Sequence, residues 1–314
     1  MTPGGLKSAS IIICTLNRAH SLEAALESVS RLSVPEGLSV ELLIIDNGST
    51  DDTAEVVRRQ SPKFPIRYIL EPQRGLSNAR NRGVAEAVGS ILLFTDDDVR
   101  LPEDWLRALC EPIIAGRAHA VSGGAEMAPH LRRTWMTPRH RGFLACGAAD
   151  TPREKASLLG ASMAVSRTVF ERVPRFDSEI GPGRLGFYED ALFSWQVAHA
   201  GYRIAVVDGV VEHHFDEKRL LSSSFVDHAR KMGRSSAYVA YHWAHKAVRM
   251  PMARLAACAA KLGIYRIFNG SADAEGCSER EMSLTEALHF YRQYLVERKR
   301  PRNYSRCGLV KISG

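Results

Sequence analysis

A doubly wound α/β sheet is the architecture that this sequence predicts, and three observations carry the prediction. Short apolar runs rich in β-branched residues alternate with helical periodicities through the first hundred residues. One of those runs, Ile91-Leu92-Leu93-Phe94, comes after Gly89-Ser90 and leads through Thr95 into Asp96-Asp97-Asp98, the pattern of a buried strand of a parallel sheet. Acidic residues stand at two strand ends, Asp46 and the 96–98 triplet. The carboxyl ends of strands are where open α/β sheets bind ligands.

The elements follow in order. Residues 8–15 read as the first strand, and Leu22, Ala25, Leu26 and Val29 then recur at i, i+3, i+4, i+7 as one face of a helix. Pro35-Glu36-Gly37 turns into a second strand over 40–45. Ser49 and Asp52 have the spacing of a capping box for a helix through 54–59. A third strand is predicted over 66–70, a helix from Gly75 toward Gly89, the acidic strand, a helix to about Ile114 and a strand over 118–122. Residues 127–150, with their prolines, His and Arg, read as an irregular loop region. The small residues of 160–165 form a strand with room for a ligand beside it. Glu189 and Asp190 open a helix whose Trp195, like Trp243 later, is assigned to the core. Strands over 202–207 and 210–214 close the series. Helices are predicted over 222–248, with Phe225, Ala229, Met232, Ser236, Val239 and Trp243 as a stripe, then over 252–268 and 284–298.

Composition narrows the class. The 314 residues are 45% hydrophobic and 25% charged, ordinary for a globular domain with ample core. Six scattered cysteines without C-x-x-C spacing signal neither a zinc site nor a disulfide framework. Residues 1–7 lack the apolar segment of a signal peptide, and no uncharged run approaches the ~20 residues of a transmembrane helix, so the expected location is cytoplasmic. A net charge of +7 fits an anionic partner such as a nucleotide, a nucleic acid or an acidic membrane surface.

The acidic triplet calls for a reason to converge. Two like charges about 4 Å apart repel by roughly 4 kcal/mol at an effective dielectric of 20. A hard divalent cation shared with substrate phosphates supplies the reason, and a solvated acidic turn is the alternative. A dinucleotide fold would place G-x-G-x-x-G after the first strand, where Thr15-Leu16-Asn17-Arg18-Ala19-His20 has no glycine. No P-loop occurs either.

Six features stand in one order: Thr15-Leu16-Asn17-Arg18, Asp46-Asn47-Gly48-Ser49-Thr50-Asp51, Gly75-x-x-x-Ala79-Arg80-Asn81-x-Gly83, Phe94-Thr95-Asp96-Asp97-Asp98, Tyr188-Glu189-Asp190 and Tyr202-Arg203 with His213-His214. Together they closely resemble the family 2 inverting glycosyltransferases, over residues 9–214. The resemblance implies a GT-A fold, a mostly parallel Rossmann-like sheet flanked by helices. Residues 1–100 would be its nucleotide-sugar-binding half, 101–215 its acceptor-binding half and 216–314 a helical extension. It further implies a nucleotide-diphospho-sugar donor, an acceptor that is a glycan, a lipid-linked glycan or a small molecule rather than nucleic acid, and Mg²⁺ or Mn²⁺ as cofactor. By matching position, Thr15 and Asp46 line the nucleoside pocket, and Asn17 and Arg18 belong to the nucleotide-sugar site. Arg80 and Glu189 lie beside the donor, and Asp190 is the expected catalytic base. Asp96 and Asp98 form the D-x-D element, with Asp98 as metal ligand and Asp96 facing the donor. Asp97 falls at the variable position between them, and its substitution is expected to cost little. His214 aligns with a histidine that completes the metal site in some members, and His213 is the neighbouring candidate.

The chemistry supports these roles independently. A cation neutralises the leaving diphosphate, and a carboxylate must take the acceptor hydroxyl's proton. Near a helix start the dipole would favour the Asp190 anion, while burial beside Phe187 and Tyr188 would oppose it. Asp46 also reads as a turn former, and Arg80 as a buttress. Rival readings are a sugar nucleotidyltransferase, whose glycine-rich basic loop is missing here, and a noncatalytic nucleotide- or glycan-binding protein. The chain lacks the Q-x-x-R-W element of processive synthases. For 252–302 two readings stay open: peripheral docking on an anionic membrane, or a helical lid or oligomer interface.

Overall fold

The computed structural model describes residues 7–60, 63–146, 157–269 and 274–312. Its frame is a seven-stranded sheet built around β1 (Lys7–Thr15). Ile11, Ile12 and Ile13 of β1 are all fully buried, because helices cover both faces of the sheet. β1 lies between β2 (Leu38–Asp46) and β4 (Ile91–Asp96), parallel to both, and β3 (Ile66–Leu70) extends β2. The connecting helices are α1 (Ala19–Ser30), α2 (Thr53–Arg58) and α3 (Leu76–Glu86). All four residues of the predicted α1 stripe are buried.

After β4 the chain makes the two-residue strand β5 (Val99–Arg100) and helix α4 (Trp105–Ile114), then β6 (Ala120–Ser122), β7 (Ala125–Met127) and α5 (Pro138–Phe143). β8 (Ser162–Ser166) runs antiparallel between β4 and β6; α6 (Glu189–His199) and β9 (Ile204–Val206) complete the large sheet in the order β3-β2-β1-β4-β8-β6-β9. A second sheet, β5-β10-β7, forms when β10 (Val211–His213) returns beside the acidic turn and pairs His213 with Val99.

The helical extension is α7 (Ser222–His242), α8 (Pro251–Asn269) and α9 (Glu279–Glu297). α7 ends six residues earlier than its periodicity predicts. Its most buried positions include Gly233, Ala237 and Tyr238 rather than the stripe of large residues alone. The reason is α9: a Cβ on Gly233 would lie 2.2 Å from the Glu286 carbonyl oxygen, so the small residue lets two backbones meet. A buried polar knot then ties the extension to the sheet domain. Asp177 accepts hydrogen bonds from Tyr238 Oη (2.8 Å) and Tyr304 Oη (2.7 Å), and Lys311 Nζ pairs with it at 2.6 Å. Asp177→Ala should therefore lower stability by about 1–3 kcal/mol in a denaturant titration, since two buried tyrosine hydroxyls lose an acceptor while half-buried Lys311 keeps Glu179 at 3.2 Å. A change below 0.5 kcal/mol would mean that the knot is dispensable.

Three local expectations need correction. The Ser49–Asp52 capping box does not form: Asp52 makes no side-chain cap, and Ser49 Oγ instead accepts from Asn17 N–H at 2.8 Å. Of the loop predicted over 127–150, the described part holds a 3₁₀ turn at Pro129–Leu131 and α5, whose start is closed by Thr137 and His140; 147–150 lie outside the described residues. Trp195 is not core: it is 39% exposed and stacks on half-buried Trp243 at 5.9 Å.

Candidate active site

Parallel register brings the expected residues to one edge. Thr15 at the end of β1 pairs with Asp46 at the end of β2, and Cys14 pairs with Asp96 at the end of β4. Beyond this edge the three aspartates diverge, each toward a different partner. Half-buried Asp96 faces Arg80 (Nη2 to Oδ1, 3.5 Å). Asp97 is buried, accepting from Thr15 Oγ1 at 2.7 Å and Arg18 Nη1 at 3.0 Å. Asp98 is buried between Arg18 Nη1 (2.7 Å) and His213 Nε2 (3.2 Å).

This geometry corrects the expectation for Asp97. It is a buried anchor of the β1 end, not an expendable spacer. Burial raises its pKa to about 6 against the opposing charge of Arg18. Asp98 behaves oppositely: burial works against its charge, but the hydrogen bond and charge of His213, then Arg18, hold it well below the usual carboxylate range. Asp97→Ala should cost roughly 1–3 kcal/mol in chemical unfolding, because Thr15 Oγ1 and one side of Arg18 lose a buried acceptor. A midpoint equal to that of the unaltered chain would restore the spacer reading.

The histidines divide by strand alternation. On β10 successive side chains point to opposite faces, and it is His213 that is buried against Asp98. His214, the expected metal ligand, instead contacts Glu212 Oε1 at 2.5 Å and packs on His130. His213 Nδ1 sits 3.0 Å from the Leu144 carbonyl oxygen, which fixes the tautomer with Nε2 toward Asp98. Burial disfavours the His213 cation, yet the Asp98 hydrogen bond outweighs it and raises the pKa to about 9.

Asp98 and His213 place an oxygen and a nitrogen 3.2 Å apart, and with the Nε2 proton displaced by a cation they would be a mixed donor set that suits Mn²⁺ better than Mg²⁺, which takes oxygen ligands. Among the described residues no group of three His, Cys, Asp or Glu side chains is placed to hold a metal. Two protein ligands suit a cation that takes its remaining ligands from substrate phosphates and water.

A second cluster lies at the start of α6. Arg80 is buried and donates from Nη1 to Glu189 Oε1 at 2.8 Å, so it joins Glu189 to Asp96. Burial first, then the Asp190 charge, raises the Glu189 pKa to about 7. Tyr188 precedes the helix in the left-handed region at φ 78°, a conformation a bulky residue adopts only when its surroundings hold it there. That turn buries Glu189 and leaves Asp190 half-buried. Asp190 Oδ2 accepts from Gly160 N–H (3.2 Å) and Oδ1 from Ala191 N–H (2.8 Å), which set its orientation.

Gly160 is a site residue that periodicity did not single out. A Cβ there would fall 2.2 Å from Arg80 Nη2. The guanidinium is buried, so Gly160→Ala must displace Arg80 and with it the Asp190 hydrogen bond, and any transfer activity should fall at least tenfold. Activity within twofold of that of the unaltered chain would show that the Arg80 cluster tolerates movement.

Asn17 and Asp46 organise the loops at the sheet edge. Asn17, at φ 53°, accepts from Thr50 N–H on Oδ1 at 2.7 Å. Buried Asp46 accepts from Ser49 N–H (2.7 Å) and from the Tyr68 hydroxyl. Tyr68 was not anticipated, since a strand tyrosine carries no positional signal. Arg219 was missed as well; it lies close enough to Asp98 to feel its charge, and burial lowers its pKa. Its only sequence signal is the basic pair Lys218-Arg219 after the last strand.

The sequence model of the family described as "Glycosyl transferase family 2" matches residues 10–173. The chain belongs to glycosyl transferase family 2. Among curated relatives of this family 2 chain, glycosyltransferase AglE of Haloferax volcanii is 26% identical over 211 residues, 67% of each chain. The succinoglycan biosynthesis protein ExoM of Rhizobium meliloti is 29% identical over 170 residues, 49% of this chain and 54% of the relative. The family 2 chain thus spans between about half and two thirds of these relatives' lengths. The fold resembles the solved mannosyltransferase PcManGT from Pyrobaculum calidifontis, in complex with GDP-Man and Mn²⁺, with a TM-score of 0.57 at 20% identity over 92% of this chain and 86% of that one. The architecture is accordingly GT-A, with a helical C-terminal region. The family match includes Thr15, Asp46, Arg80 and Asp98 but stops before Asp190 and His213, whose placement comes from the tertiary structure.

Proposed function

We propose that this family 2 glycosyltransferase moves a sugar from a nucleotide-diphospho-sugar donor to an acceptor hydroxyl with inversion at the anomeric carbon, using Mg²⁺ or Mn²⁺. The observation that carries the reading is the division of labour among the carboxylates. Asp98 converges with His213, Glu189 is consumed by Arg80, and Asp190 is left half-buried with two backbone N–H groups holding it. The donor complex of PcManGT, with GDP-Man and Mn²⁺ on the same fold, supports the same class of substrate and metal.

In this reading Thr15, Asn17 and Asp46 form the floor on which the nucleoside rests. Asp98 and His213 would hold the cation, whose contribution would be to neutralise charge on the leaving diphosphate. Arg18, bonded to Asp98, and Arg219, near enough to feel its charge, would add positive charge on the side of the same leaving group. Asp96 faces the donor while Arg80 fixes its direction. Asp190 accepts the proton of the attacking hydroxyl. One base and one displacement invert the anomeric centre, and no second free carboxylate is needed. The acceptor class that fits is a glycan, a lipid-linked glycan or a small molecule in surface polysaccharide, lipid-linked or natural-product glycosylation.

Thermal unfolding with a panel of GDP- and UDP-sugars, with and without Mn²⁺, tests donor and metal together. A donor at a hundred times its Kd stabilises the native state by about 2.7 kcal/mol, and the shift should require the cation. Proton NMR of the product should show the anomeric configuration opposite to that of the donor. Retained configuration would overturn inversion, and donor binding indifferent to divalent cations would overturn the metal assignment.

A further inference from the structure

The helix α8 packs with one face and leaves the other bare. Leu255, Cys258, Leu262 and Tyr265 turn inward, and Tyr265 and Arg266 make their hydrogen bonds to Ser278 and Glu281 at the start of α9. On the opposite side Met252, Ala256, Ala260, Ile264, Ile267 and Phe268 face solvent. Met252 is 72% exposed, Ile264 58%, Ile267 79% and Phe268 80%. Large apolar side chains exposed singly are ordinary, but four on one face of one helix are not. The helix is about 28 Å long, and at 100° per residue these positions make one continuous arc.

Charge borders that arc. Arg254 and Lys261 line one edge and Arg266 the other, with Arg249 just before the helix. Residues 228–272 contain eight Lys and Arg and no Asp or Glu. Arg249 and Lys261 form no ion pair among the described residues, and Arg254 bonds only the Tyr291 hydroxyl.

We infer that the exposed face of α8 docks on an anionic lipid surface, lying in the interface plane with its apolar arc among the acyl chains and its cations at the headgroups. Interfacial helices combine those two features, and each Lys or Arg near an anionic leaflet strengthens binding about fivefold. A second copy of the chain fits less well. Twofold pairing across the Ala260 region would bring the Lys261 ammonium of each copy beside its mate and leave Arg254 and Lys261 of both copies uncompensated, Arg266 alone being paired, with Glu281. An anionic bilayer neutralises them. No helix among the described residues is long and apolar enough to cross a membrane, which agrees with a helix that lies on the surface.

The test uses the full chain with vesicles of equimolar phosphatidylglycerol and phosphatidylcholine, and with phosphatidylcholine alone. Co-sedimentation should be strong on the anionic vesicles at low ionic strength, fall with added salt and be weak on the neutral ones. Ile264→Glu combined with Ile267→Glu should lower vesicle binding at least tenfold, with an unchanged thermal unfolding midpoint because both side chains are exposed. Arg254→Glu combined with Lys261→Glu should lower it at least twenty-fivefold on anionic vesicles only. Absence of binding by the unaltered chain, or binding unchanged in the apolar double variant, overturns the inference. So does a dimer in light scattering that the apolar double variant dissolves, which would make this face an interface between copies.

Discussion

Asp98→Ala is expected to lower transfer by at least three orders of magnitude, about 4 kcal/mol of transition-state stabilisation. The carboxylate is held well below its ordinary pKa by His213 and Arg18, so it stays charged wherever the enzyme works. On the proposed metal site alanine would leave His213 alone to hold the cation, and one imidazole does not replace a carboxylate as an oxygen ligand for Mg²⁺ or Mn²⁺. The same variant should lose the cation-dependent part of donor-induced stabilisation in thermal unfolding. A linkage follows from the pKa. The depressed Asp98 value contributes stability that is fully present above the ordinary carboxylate range and is lost only as pH falls through the depressed value. The unaltered protein should therefore lose more stability than Asp98→Ala under strong acid, and chemical unfolding across pH measures the difference. Transfer by Asp98→Ala within tenfold of the unaltered enzyme would sink the metal assignment.

Asp190→Asn is expected to lower kcat by 10²–10⁴, the usual contribution of a positioned general base. Asparagine keeps the shape but has a single acceptor oxygen, so it can accept from only one of the Gly160 and Ala191 N–H groups that bond the two carboxylate oxygens; part of the positioning survives while proton acceptance does not. Donor binding and its cation dependence should stay near those of the unaltered enzyme. That pattern separates the two variants: Asp98 acts on donor and metal, Asp190 on the chemical step alone. A variant with unchanged kcat would move the base elsewhere, and Glu189 is a poor substitute because it is buried on Arg80.

The strand ends explain how much of this site was legible in the sequence. Asp46 and Asp96 each terminate an apolar run, and parallel pairing with a common central strand puts both beside the end of β1. Local periodicity was enough to predict that edge. It was not enough to separate Asp96, Asp97 and Asp98, because adjacent residues after a strand end point in different directions and only their partners show which are buried. Thr15 and Arg18, eighty residues away in the chain, decide the role of Asp97.

The sequence by itself determined the alternation of strands and helices, the acidic edge and the start of α6, since each rests on residues close together in the chain. The family resemblance, carried by six short motifs, was likewise a matter of order along the chain, and the match over 10–173 agrees with it. Only the tertiary structure decided between His213 and His214, because strand alternation sends neighbours to opposite faces and pairing with Val99 selects which face meets Asp98. It also decided that Arg80 is both a buttress and a link between Asp96 and Glu189, and that Gly160 is small because a guanidinium lies against it. For α8, the apolar residues visible in the sequence fit core and surface equally well; packing on one face alone left the other in solvent.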